Sequence, residues 1–88
     1  MKTIKDKQYS FNHVKKRLKE RYNLDITMNE YANLCLSRVD HIPINVEYQK
    51  NDTQKIYDMY HKGFMVRVVY SEKRNLITTV LPKEKENV

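Results

Sequence analysis

The chain of 88 residues is poor in the residue types that build disulfide scaffolds, metal sites and membrane spans. Its one cysteine, Cys35, excludes an internal disulfide and favours a reducing, cytoplasmic setting. The three histidines lack the closely spaced partners that predict a zinc site, so we expect neither a metal nor a cofactor. No stretch approaches the ~20 apolar residues that cross a bilayer, and no apolar run follows the basic start. We therefore expect a soluble protein without a signal peptide.

The charge balance is the most informative feature that is present. The 17 Lys and Arg residues outnumber 11 Asp and Glu residues, which gives a formal net charge of +6 and an isoelectric point near 9.5. Such a surplus favours a polyanionic partner such as RNA or DNA, because bound phosphates release counterions and attract the protein at long range. An acidic membrane surface is the alternative partner.

The chain length supports one hydrophobic core, so we expect a single domain over residues 1–88 with flexible ends at 1–9 and 83–88. From about Ser10 to Tyr22, apolar residues recur at helical spacing, and Ser10 or Asn12 is placed to cap the first turn. Asn23 suits a left-handed helix end. These features predict a first helix over Ser10 to Tyr22.

A second helix is predicted from Met28 to about Val39, because Thr27 precedes Glu30 by three residues in a capping-box pattern. Its buried side should include Tyr31, Leu34, Cys35 and either Leu36 or Val39. Pro43 then marks a change of structure, since the residue before a proline avoids helical geometry.

Four strands are predicted after Pro43. In "INVEY" the apolar residues Ile44, Val46 and Tyr48 alternate with polar ones, which indicates a strand with one buried face. The runs "TQKIYDMYHKG", "FMVRVVYS" and "LITTVLP" follow after short turns. Short connections favour an antiparallel meander. The prediction is an α+β fold in ααββββ order, with two N-terminal helices packed on one face of a four-stranded antiparallel sheet.

Cationic side chains at helical spacing are the main candidates for function. His13, Arg17 and Arg21 form a row at the border of the apolar stripe, with Lys16 beside it. Such a row either extends over the core and stays solvated or forms half of a phosphate site. Arg67, alone in an apolar strand, either faces an anion or lies on an open sheet face.

Threonine and tyrosine residues in the strands supply further candidates. Thr78 and Thr79 are adjacent, so their hydroxyls point to opposite faces, although threonine is also common in strands for steric reasons. Strand tyrosines such as Tyr70 either stack on unpaired bases or fill the edges of the core.

Three segments together resemble a known group of ribonucleases. "S-x-x-H-x-x-x-R-x-x-x-R" in the first helix, "V-R-V-V-Y" in the third strand and "I-T-T-V-L-P" at the end resemble the small RelE-like and BrnT-like RNA-cleaving toxins. These toxins belong to a wider group that includes barnase and EndoU domains. The resemblance covers residues 10–82, and it implies a phosphate site built from His13, Arg17, Arg67 and Thr79.

The resemblance implies a metal-independent endoribonuclease, either a toxin with an antitoxin partner or a phage-encoded enzyme, that cleaves RNA through the ribose 2′-hydroxyl. His13 would act as general acid or base, because imidazole titrates near ambient pH. Arg17 and Arg67 would bind the charged phosphate through forked donors, and Thr79 would add a hydrogen bond. Two alternatives stay open: a non-catalytic RNA-binding or DNA-binding module, and a small phage protein that binds and inhibits a host enzyme.

Overall fold

The structure, a computed structural model, describes residues 4–82 and confirms the predicted α+β architecture. Two helices and a short 3₁₀ helix precede four strands, which form one antiparallel sheet in the order β1-β2-β3-β4. The bounds are α1 Ile4–Tyr22, α2 Met28–Ser37, the 3₁₀ helix Arg38–Asp40, β1 Asn45–Gln49, β2 Asp52–His61, β3 Phe64–Ser71 and β4 Leu76–Val80. The predicted flexible end at 83–88 lies outside the described residues.

Helix α1 begins at Ile4, six residues before the predicted start, so the placement of a cap at Ser10 or Asn12 was wrong. The segment from Ile4 to Tyr9 contains neither Gly nor Pro. Because extending an existing helix costs less than starting one, nothing in that segment stops the helix at Ser10. Ser10 is instead buried inside the helix, next to the apolar side that contains Phe11 and Val14.

The junction between the helices forms as predicted. Asn23 adopts a φ of 57°, and its N–H donates to the Lys19 carbonyl at 3.0 Å, which is the left-handed end of α1. At Thr27, four residues after Asn23, the Glu30 N–H donates to Thr27 Oγ1 at 3.1 Å, and the Thr27 N–H donates to Glu30 Oε1 at 2.8 Å. This capping box fixes where α2 starts.

The buried side of α2 is narrower than predicted. Tyr31 and Cys35 are buried and Leu34 is partly buried, but Leu36 and Val39 are both 72% exposed. Leu36 follows Cys35 by 100° around the helix and so turns away from the core. Val39 lies in the 3₁₀ helix, where the tighter winding changes its direction. The prediction that one of the two is buried was therefore wrong.

Tight turns set the register of the sheet. Lys62 and Gly63 both have positive φ, 52° and 86°, as a two-residue hairpin turn requires, and they pair His61 with Phe64. The register shifts between β3 and β4, where Val69 pairs with Thr79 but Tyr70 pairs with Ile77. Thr78 is therefore the extra residue of a bulge in β4.

The two faces of the sheet have different environments. Side chains alternate along each strand, so one set packs against the helices in the hydrophobic core. This helix face includes Tyr57, Met59, Val66, Val68 and Tyr70, which cluster with Phe11, Val14 and Leu18 of α1. The opposite face, called here the open face, includes Ile56, Asp58, Arg67, Val69 and Thr79.

Strand β1 lacks the buried face predicted for it. Ile44 and Tyr48 are exposed, and only Val46 is half-buried. The physical reason is the position of the helices, whose main sheet contacts are with β4 at the far edge. The alternation in "INVEY" was therefore a correct sign of a strand but a wrong sign of burial.

Tyr22, the last residue of α1, ties that helix into the sheet. Its hydroxyl donates to the Leu81 carbonyl at 2.9 Å and accepts from the Arg67 N–H at 3.2 Å. The Leu81 N–H donates directly to the Arg67 carbonyl at 2.8 Å. An antiparallel pair normally exchanges two direct bonds, so the Tyr22 hydroxyl replaces one of them at the end of β4.

Candidate nucleic-acid interface

Helix α1 carries all of the net charge of the described chain. Between Ile4 and Tyr22, seven Lys and Arg residues outnumber two Asp and Glu residues, whereas residues 23–82 contain seven of each. The helix therefore contributes +5 and the rest of the described chain is neutral. A charge distribution of this kind concentrates positive potential on one side of a small domain.

A shallow groove of about 360 Å³ lies along the outer side of α1. We call it the α1 groove, and it is lined by Asn12, Lys15, Lys16, Lys19, Glu20 and Asp25. Lys15 and Lys16 lie four and three residues before Lys19, so each of them is a neighbour of Lys19 on the helix surface. Three ammonium groups and one amide thus lie along a single helical surface, together with the carboxylates of Glu20 and Asp25, which pair with Arg17 and Lys19.

Among the residues that the structure describes, the ammonium groups of Lys15 and Lys19 have weak partners. Lys19 Nζ lies 3.7 Å from Asp25 Oδ1, and both side chains are more than half exposed. The Lys15 ammonium lies 5.9 Å from the centroid of the Phe11 ring. Exposed ion pairs contribute ~0–1 kcal/mol, so phosphate oxygens can compete for these lysines.

The predicted row of His13, Arg17 and Arg21 lies on the other flank of α1. Arg21 donates through Nη1 to the Val80 carbonyl on β4, and Arg17 Nη1 lies 2.9 Å from Glu20 Oε1. His13, four residues before Arg17, is half-buried. Arg21 therefore borders the β4 edge of the sheet, and both arginines of the row are engaged within the chain.

Arg67 lies on the open face, where it forms a two-point ion pair with Asp58. Its Nε donates to Asp58 Oδ1 at 2.8 Å, and its Nη2 donates to Asp58 Oδ2 at 3.1 Å. Both side chains are less than a third exposed. The fork of the guanidinium that would bind a phosphate is bound to this carboxylate in the structure.

Thr79 and Tyr70 occupy opposite faces of the sheet. Thr79 pairs with Val69 and shares the open face with Arg67. Tyr70 is only 1% exposed, its hydroxyl donates to Asn75 Oδ1 at 3.2 Å, and the Arg38 guanidinium lies 4.3 Å from its ring centroid. Burial raises the pKa of its phenol. The Tyr70 ring therefore offers no surface on which a base could stack.

The structure places Arg67 and Thr79 on one face of the sheet and His13 on the other side of it. Val66 and Val68, on either side of Arg67, pack in the core with α1, so Arg67 points away from the helices. His13 belongs to the helix layer on the opposite side of the sheet. Lys16 lies in the α1 groove, whose lining does not include Arg67.

Sequence reasoning missed Lys15, Lys19 and Asp58. The two lysines belong to the same charged helix as Lys16, and counting charge by segment would have found them. Asp58 is the single charge in "IYDMY", just as Arg67 is in "VRVVY", and a two-residue turn at Lys62 and Gly63 places the two opposite each other.

Cys35 has a structural role in the described chain. Its sulfur accepts a hydrogen bond from the Ile77 N–H at 3.4 Å, and burial raises the pKa of the thiol. Raising the pKa disfavours the thiolate, which is the reactive form. The thiol is therefore poorly suited to nucleophilic chemistry.

Comparison of the chain with protein-family models, with curated proteins and with solved structures finds no match. The likeness to RelE-like and BrnT-like toxins therefore stays a prediction. Within residues 4–82, no group of three or more His, Cys, Asp and Glu side chains is arranged to bind a metal ion. No helix in that range has the length and apolarity needed to cross a membrane.

Proposed function

We propose that this protein binds nucleic acid through the phosphate backbone, with the α1 groove as the binding surface. The observation that supports this most directly is the separation of charge, since α1 has a net charge of +5 and residues 23–82 are neutral. Electrostatic attraction to phosphates supplies most of the affinity of sequence-independent binding. A neutral domain with one cationic helix directs that attraction to a single surface.

The residues of the α1 groove suit phosphate binding more than base recognition. Lys15, Lys16 and Lys19 supply compact ammonium charges, which bind phosphate as point charges without fixed geometry. Asn12 adds an amide donor beside them. Backbone contacts of this type position a protein on nucleic acid and carry no sequence information.

The endoribonuclease predicted from the sequence is less well supported than binding. Its mechanism needs His13, Arg67 and Thr79 at one phosphate, but the sheet lies between His13 and the other two. It also needs the Arg67 fork, which is bound to Asp58. A non-catalytic module, the alternative drawn from the sequence, requires only the cationic surface.

The proposal is tested by removing charge from two places on the protein. The variant Lys16→Gln with Lys19→Gln neutralises the α1 groove, and the matched control Lys50→Gln with Lys73→Gln removes the same charge from exposed turns. Fluorescence anisotropy with a labelled single-stranded RNA measures the affinity. We expect the groove variant to bind roughly tenfold more weakly and the control to bind nearly as well as wild type.

Equal weakening in both variants would show that only net charge matters, and it would contradict a defined surface. Circular dichroism confirms that both proteins stay folded. Because all four lysines are exposed, neither variant removes a core contact.

A further inference from the structure

An exposed aromatic ring lies on the outer side of the cationic helix. Tyr9 is 69% exposed, and among the described residues of α1 it is the one large hydrophobic side chain that is exposed. Within the described chain, its side chain has no hydrogen-bond, ion-pair or ring partner. Neither core packing nor an internal hydrogen bond of the described residues therefore accounts for an aromatic residue at position 9.

Tyr9 lies in line with the α1 groove. At 3.6 residues per turn, Tyr9, Asn12 and Lys16 fall within about 60° of one another around α1, and the buried Val14 and Leu18 lie on the opposite side. Asn12 and Lys16 line the α1 groove, and Lys16 is about 10 Å farther along the helix than Tyr9. A strand whose phosphates occupy the groove can therefore reach the Tyr9 ring with an adjoining nucleotide.

We propose that the nucleic acid bound at the α1 groove is single-stranded and that the Tyr9 ring stacks on one of its unpaired bases. The proposal rests on the function proposed above and adds the class of nucleic acid and a further contact residue. Aromatic rings stack on bases of any sequence, because every base has a π face. Lys16 and Lys19 attract the phosphates, and the stacked base adds a preference for unpaired strands.

Charge and stacking make opposite predictions about duplexes. A duplex carries more condensed charge than a single strand, so attraction to the lysines alone favours the duplex. The bases inside a duplex are stacked on one another, and they offer no face to a ring on the outside of a protein helix. A preference for a single strand over a duplex of the same sequence therefore distinguishes stacking from charge.

A membrane surface fits this helix less well than a base does. Helices that bind in the bilayer interface insert a whole apolar face among the lipids. The apolar side of α1 that contains Phe11, Val14 and Leu18 is buried in the core of the protein, which leaves Tyr9 among charged and amide side chains on the outer side. A single ring beside lysines suits one base and the phosphates next to it.

Replacement of the ring tests the proposal. Tyr9→Ala removes the stacking surface and Tyr9→Phe keeps it, while Tyr60→Ala is the matched control, since Tyr60 is also 69% exposed but lies on the open face. Fluorescence anisotropy with a labelled single-stranded RNA and with a duplex of the same sequence measures the affinities. We expect Tyr9→Ala to bind the single strand about tenfold more weakly and the duplex as well as wild type does. Tyr9→Phe and Tyr60→Ala should bind both like wild type.

The salt dependence separates a failure of stacking from a failure of the proposed function. Tyr9 contacts a base and no phosphate, so Tyr9→Ala should keep the wild-type slope of log affinity against log salt. Equal losses for the single strand and the duplex, or no loss with the wild-type slope retained, would overturn the stacking proposal alone. A wild-type protein that shows no salt-dependent binding would overturn both proposals.

Two further measurements complete the test. Since Tyr9 is exposed and alanine favours helices, Tyr9→Ala should keep the wild-type circular dichroism spectrum. Sedimentation with vesicles of anionic lipid tests the membrane alternative, and we expect wild type and Tyr9→Ala to bind them equally. Vesicle binding that is lost in Tyr9→Ala, with RNA binding unchanged, would assign the ring to a membrane surface and overturn the proposal.

Discussion

Arg67 and Asp58 face each other across the β2–β3 ladder and bind through two parallel hydrogen bonds of 2.8 and 3.1 Å. Each residue is the single charge in an apolar stretch of its strand. Both side chains are partly buried, so either charge without its partner would carry a desolvation cost, and the pairing offsets that cost. The same pairing holds the side chain that the sequence predicts to bind phosphate, and this favours a structural role for Arg67.

We predict that Arg67→Ala lowers the free energy of unfolding by about 1–3 kcal/mol, because Asp58 keeps its charge and loses its partner. Urea denaturation of Arg67→Ala, Asp58→Ala and the double variant measures the coupling, which we expect to be about 1 kcal/mol. Additive losses would mean that the pair contributes nothing. RNA affinity at fixed salt should change little in all three proteins.

Tyr22→Phe removes the hydroxyl that joins β3 to the end of β4. The Arg67 N–H and the Leu81 carbonyl then lose a partner, so we expect the free energy of unfolding to fall by about 1–3 kcal/mol. Tyr48→Phe is the matched control, since Tyr48 is exposed, and should change stability by less than about 0.5 kcal/mol. Similar denaturation midpoints for Tyr22→Phe and wild type would refute this role.

Asp52 should make stability depend on pH in the acid range. Its carboxylate accepts from Ser71 Oγ at 2.7 Å and from the Lys73 N–H at 2.9 Å, and the Ser71 bond holds the pKa of Asp52 below its ordinary value of 3.8. A lowered folded-state pKa stabilises the protein above the unfolded-state pKa, and this contribution is lost as pH falls through the folded value.

Asp52→Asn should therefore be less stable than wild type at neutral pH, and the difference should shrink as pH falls below about 3.8. Urea midpoints at several pH values measure it. A difference that stays constant over that range would show that the charge of Asp52 is not the source.

The fold could be predicted from the sequence where local signals agree with one another. Thr27 and Glu30 fix the start of α2 through their own backbone bonds, and the cap at Asn23 is equally local. The start of α1 could not be predicted from Ser10, because a capping residue acts as one only when the preceding segment leaves the helix. The burial of β1 depended on where distant helices pack, and its alternating pattern carries no information about that.

The candidate site was harder to predict because faces and partners depend on register. The sequence placed Arg17 and Arg21 at the border of the core, and the structure places them there. Whether Arg67 meets a phosphate or a carboxylate depends on which residue lies across the ladder, and the turn at Lys62 and Gly63 places Asp58 there. The short motifs that resemble those of ribonucleases do not specify which residue pairs with Arg67 across the ladder.

We expect the wild-type protein to bind RNA without cleaving it, since His13 and Arg67 lie on opposite sides of the sheet. Incubation of labelled RNA with the protein and a metal chelator, followed by analysis for 2′,3′-cyclic phosphate ends, tests this. Cleavage by wild type that is lost in His13→Ala, with RNA affinity unchanged, would instead support the endoribonuclease.

The salt dependence of RNA affinity tests the central claim most directly. If Lys15, Lys16 and Lys19 each neutralise one phosphate of a single strand, the slope of log affinity against log salt should be roughly −2. The variant Lys16→Gln with Lys19→Gln should reduce the magnitude of that slope by about 1.4. Lys50→Gln with Lys73→Gln should keep the wild-type slope. A flat response in the wild type, or the same slope in the wild type and the groove variant, would contradict binding through the α1 groove.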